Sequence, residues 1–112
     1  MSRAERPQQP VIATARDAEH LVSSILEAMT HLCEVVSKET HLLKSYRLRE
    51  AATLADAKAE AGRQYVQALE QLKGNAIALA RWAPMAVARL KASQSVLSDL
   101  LSVNMAVLAT AR

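Results

Sequence analysis

The stretch AEHLVSSILEAMTHLCEVVSKETHLLKSY, residues 18 to 46, decides the fold. Its apolar residues fall at alternating spacings of four and three: Ala18, Val22, Ile25, Met29, Leu32, Val36, then Leu43 and Tyr46. That spacing keeps one edge of a long helix against a partner helix. Glu39 breaks the row, occupying the slot between Val36 and Leu43. A carboxylate on an apolar seam needs a partner group opposite, because burying it alone is expensive. Leu21, Leu26, Ala28, Val35 and Leu42 widen the stripe, so more than one helix must cover it.

The helix predicted from this row runs from about 15 to 45, about 46 Å long at the usual rise per residue. Thr14 followed by Asp17 has the spacing of a capping box at its start. No Gly or Pro ends it, and the stripe changes phase at Lys44-Ser45-Tyr46-Arg47, where the chain is expected to turn. Before it, residues 1 to 13 are polar, with Pro7 and Pro10 and no periodicity, and are expected to be a disordered tail.

Downstream, a second row reads Ala51, Ala55, Lys58, Gly62, Tyr65, Leu69, Leu72, Ala76, Leu79, Ala83. It keeps phase through Gly74-Asn75, which predicts one helix over about 48–82. Folding the two helices back on each other about residue 48 places Lys58 level with Glu39 and Gly62 near Val36. The two polar interruptions then meet, and Gly62 would let the backbones approach. Pro84 suits the first turn of a third helix, expected over 85–112. That helix carries Ala86, Leu90, Ser93, Leu97, Leu100, Asn104, Val107 and Ala111 in one row. A second row, Val87, Val96, Leu101, Val103 and Leu108, makes its last half apolar on most sides. Residues 14–112 thus read as a single all-α domain. Its architecture is a long antiparallel helical hairpin plus a third helix, an extended three-helix coiled-coil bundle.

The composition agrees. Of 112 residues, 51% are hydrophobic but only 3% aromatic, with 2 Gly and 3 Pro. Scarce turn residues and abundant Ala favour long helices around a narrow core. The net charge of +3 comes from cations dispersed among acids, which is not the concentrated stripe of a nucleic-acid binder. A single cysteine rules out an internal disulfide and fits a reducing compartment. The first ten residues lack the apolar run of a signal peptide, and no window approaches a membrane span. A cytoplasmic location without membrane insertion is the expectation.

Motifs for chemistry are sparse. His41-Leu42-Leu43-Lys44 matches the first part of the histidine-phosphotransfer signature His-x-x-Lys-Gly, but Ser45 stands where that signature has glycine. A solvated surface histidine is the favoured reading. His20, His31 and Cys33 have no zinc-ligand spacing, and nothing pairs Cys33 with a base. Lys44, Arg47 and Arg49 crowd the expected turn, where they would be solvated or dock an acidic partner. No enzyme, metal or cofactor is expected. Glu39 with Lys58 would fix helix register, as polar residues on seams do, and Asn104 has either that role or a binding one.

These residues resemble the FlgN-type flagellar export chaperones for hook–filament junction proteins, particularly alphaproteobacterial members. That family carries a Glu with a Leu one turn later in helix one, a Lys early in helix two and an Asn in helix three. The matching positions are Glu39 with Leu43, Lys58, and Asn104, the last followed by Met105 where the family often has Gly. The resemblance covers about residues 18–112. It implies a non-catalytic cytoplasmic protein that binds the C-terminal amphipathic helices of junction proteins, prevents their self-association and delivers them to the type III export apparatus. On that reading the client-binding residues are Leu97, Leu100, Leu101, Asn104, Val107, Leu108 and Ala111. A coiled-coil module that uses the same surface to form a homodimer is the alternative, followed by phosphotransfer through His41.

Overall fold

The structure, a computed structural model, describes residues 12 to 111. Among them every regular element is helical: α1 (Ala15–Lys44), α2 (Leu48–Ala52), α3 (Ala55–Gly74), α4 (Ala76–Trp82) and α5 (Pro84–Thr110). The chain is all-α.

Helix α1 begins where the capping box placed it. Thr14 Oγ1 accepts the Asp17 N–H at 3.1 Å, and Asp17 Oδ2 accepts the N–H groups of Ala13 and Thr14 at 3.1 and 3.2 Å. These bonds satisfy amides that the first helical turn leaves without partners. The heptad row is buried from Ala18 through Val36, with Glu39 and Leu43 continuing it. Ile25, Met29, Val22 and Val36 are fully enclosed, each stabilising by about 1.5–3 kcal/mol through the area removed from water. The expected disordered tail lies outside the described residues except for its last two, and of these Ile12 packs on the core.

At its other end α1 closes on a Schellman motif. The Arg47 N–H bonds the Leu42 carbonyl at 2.9 Å and the Tyr46 N–H bonds the Leu43 carbonyl at 3.1 Å. This geometry requires a left-handed residue, and Tyr46 supplies it at φ 58°, where glycine is usual. Tyr46, the last member of the heptad row, is therefore outside the helix with its ring in solvent. Tyr46→Gly is expected to stabilise by about 0.5–1 kcal/mol, the left-handed penalty relieved less the entropy of a freer unfolded chain. The urea midpoint should rise with an unchanged slope; a fall would mean that the tyrosine ring makes stabilising contacts.

The single helix expected over 48–82 is broken twice. At Thr53-Leu54 the chain tightens into i→i+3 bonds, Thr53 N–H to Glu50 and Leu54 N–H to Ala51, both 3.1 Å. The Thr53 hydroxyl also donates to the Glu50 carbonyl at 2.6 Å, the side-chain competition that weakens helix interiors. At Asn75 the backbone leaves helical values (φ −124°, ψ 16°), and its side-chain amide donates to the Gln71 carbonyl at 2.8 Å. Gly74 before it holds the helix weakly. Ala83 is extended because a following proline disfavours the helical region, and Pro84 opens α5 one residue earlier than expected.

Helix α1 packs along both α3 and α5. Lys58, early in α3, meets Glu39, late in α1, so these two run antiparallel. Asn104, late in α5, also meets Glu39, so α5 runs parallel to α1. Helix α4 makes the return between α3 and α5, with Leu79 fully buried. The face of α3 that meets the core carries Ala61 and Ala68, with Tyr65 and Leu72 beside them. This corrects the expected row through Gly62 and Leu69: a Cβ on Gly62 would have nothing within 4 Å, so Gly62 permits no close approach. The small side chains of Ala61 and Ala68 do so instead. The core is divided into a main cluster, from Ala18 to Val36 on α1 with Leu90 and Leu97 on α5, and a second around Leu42, Leu43 and Ala51.

Candidate functional site

Between the two apolar clusters lies a polar layer built by three helices. Lys58 Nζ donates to Glu39 Oε1 at 2.9 Å and to Asn104 Oδ1 at 2.8 Å. Asn104 Nδ2 donates to the same Glu39 oxygen at 2.8 Å and to Thr40 Oγ1 at 2.9 Å. The chemistry fixes the amide's orientation: an ammonium only donates, so it faces Oδ1, and a carboxylate only accepts, so it faces Nδ2. Asn104 is fully buried, Glu39 nearly so, and the lysine reaches in from a partly solvated edge. No buried side-chain nitrogen or oxygen among the described residues lacks a partner. The layer closes on itself, which is the condition for a buried polar network to be tolerated.

Such a layer specifies geometry. Sliding α3 or α5 by one turn along α1 would leave a buried carboxylate or amide unpaired and put charge against leucine. The sequence places Glu39 and Lys58 at one level; that Asn104 bonds both was not foreseen, nor was Thr40, whose only signal is its position next to Glu39.

The other residues marked for client binding have varied surroundings. Leu97 is buried in the main core, and Leu100 and Leu101 pack half-buried against it. Val107 and Ala111 pack against the second cluster, while Leu108 is exposed. Thus Leu97 and Asn104 face the interior. In the last half of α5 the exposed large apolar side chains are Met105 (69% exposed), Val96 (56%), Val103 (46%) and Leu108 (36%). Val96 and Val103, with the half-buried Leu100 and Val107, form a row at spacings of four, three and four. Beside Val96 runs a hollow lined by Met29, Thr30, Cys33, Glu34, Ser37 and Ser93, between α1 and α5. Burial, helped by the Glu34 carboxylate, pushes the Cys33 thiol above its ordinary range, which lowers the share present as the reactive thiolate.

His41 is exposed in the last turn of α1. Among the described residues no three His, Cys, Asp or Glu side chains gather as a metal site requires. No helix among them is long and apolar enough to cross a membrane. No family model, curated protein or solved structure matches the chain.

Proposed function

We propose that this protein is a cytoplasmic export chaperone of the FlgN type. It would bind the C-terminal amphipathic helices of hook–filament junction proteins, prevent their premature self-association and pass them to the flagellar type III export apparatus. The observation that carries this reading is the polar layer. The resemblance singles out Glu39, Lys58 and Asn104 from three separate parts of the chain, and nothing in that resemblance required them to touch. They form one hydrogen-bonded group. In this reading α1 and α2–α3 are the two arms of a long antiparallel hairpin and α5 is the third member of an extended coiled coil.

The client surface is then the outer side of α5, not its Leu97–Asn104 edge. Val96, Leu100, Val103 and Val107 offer a row that one further amphipathic helix covers, the helix-in-groove mode of recognition. A heptad row suits a second copy of the chain equally well, and this observation keeps the coiled-coil module as the alternative.

Titrating labelled C-terminal helices of junction proteins tests the reading. Val96→Asp with Val103→Asp should weaken binding about a hundredfold, from two buried valines at about 1.5 kcal/mol each, with melting unchanged. Loss of a dimer with no client binding in either protein would favour the coiled-coil module. Tight client binding by the double variant would move the client surface elsewhere.

A further inference from the structure

The end of the molecule where α4 makes its return carries an apolar patch that neither the core nor the α5 row uses. Ile77 is 88% exposed, Met85 76% and Trp82 40%. Ile77 and Trp82 line one hollow with Ile12, Lys73, Asn75 and Arg81, and Met85 follows in the first turn of α5. The Arg81 guanidinium lies over the Trp82 ring, 5.7 Å from its centroid, an attraction between cation and ring face. From Gln71 to Ser98 the chain holds no acidic residue and four cations, Lys73, Arg81, Arg89 and Lys91. At the start of α1, Asp17 is engaged in the helix cap and Glu19 is exposed, and Glu70 stands on α3 before Lys73.

We propose that this end of the bundle docks peripherally on an anionic lipid bilayer, with Ile77, Trp82 and Met85 in the headgroup region and Arg81 and Lys73 on lipid phosphates. An indole with adjacent cations suits the membrane interface, where one part of the side chain is apolar and the other wet. The charge is complementary to acidic headgroups. No helix enters the hydrocarbon in this mode. The inference uses no residue of the α5 row and stands or falls apart from the chaperone reading.

Trp82 is the only tryptophan, so its emission reports the site directly. The intact protein is mixed with vesicles of equal parts phosphatidylglycerol and phosphatidylcholine, or of phosphatidylcholine alone, and emission and co-sedimentation are read. The expected result is a blue shift with the anionic vesicles, binding at least about tenfold tighter than to neutral ones, and reversal by high salt. Arg81→Glu should weaken binding about tenfold, as should Ile77→Ser with Met85→Ser, with helicity unchanged because these side chains are exposed. No shift on anionic vesicles overturns the proposal, and so does undiminished binding by the Ile77/Met85 variant. A shift raised by a poly-glutamate peptide but not by vesicles would assign the patch to an acidic protein. A shift without lipid that accompanies a doubling of mass would assign it to self-association.

Discussion

Replacing Lys58 with Met should cost about 2–3 kcal/mol and lower the melting temperature by roughly 10 °C. The methylenes of the side chain are kept, so the loss is one of charge. Glu39 would remain nearly buried with only the Asn104 amide donating to it, 2.8 Å away. Asn104→Leu should cost less, about 1–2 kcal/mol, because Glu39 and Lys58 still compensate each other and Thr40 loses one bond. The test lies in combining them. Changing Glu39, Lys58 and Asn104 together to Leu, Met and Leu removes all three at once and leaves only the half-buried Thr40 hydroxyl, so its cost should fall well below the sum of the single changes. Urea unfolding of the single, double and triple variants gives the coupling energies. Additive costs would mean that the three side chains act independently and that the layer does not hold α3 and α5 in register on α1.

That layer also separates what was legible in the sequence from what was not. Glu39 and Lys58 are polar interruptions in otherwise apolar rows, and a heptad row states the level of each residue along its helix. Matching their levels needed only the place of the turn, which the phase change at Ser45-Tyr46 marks. Asn104 is different. Its level on α1 depends on how far α4 carries the chain across before α5 starts, and that distance follows from the break at Asn75. At the break the Asn75 side-chain amide bonds the Gln71 carbonyl at 2.8 Å beside the weak helix former Gly74, and no apolar periodicity registers this. Likewise, Lys58, Tyr65 and Leu72 sit midway between two rows of α3, one carrying Ala61 and Ala68 and the other Gly62 and Leu69. Either row completes a stripe. Only packing against α1 selects the alanines, whose small side chains fit there while Gly62 faces open space.

Leu97→Ala should be among the most damaging single truncations in the last helix, costing about 3–4 kcal/mol through lost transfer energy and the cavity left behind. Leu97 is almost wholly enclosed by the main cluster, between Leu90 and the polar layer, so its neighbours have little freedom to collapse inward. Val103→Ala, on the same helix, should change stability by less than about 0.5 kcal/mol, because that side chain is 46% exposed. The contrast matters because the last half of α5 is apolar on most sides, so its periodicity does not say which side faces α1. Six residues separate the two positions, about a third of a turn around the helix. Urea midpoints with unchanged slopes would assign both effects to the folded state. If Val103→Ala proved costly and Leu97→Ala mild, α5 would be rotated by that third of a turn. Asn104 would then leave the layer, and the Leu97 row, not the Val96–Val103 row, would be the surface open to a partner.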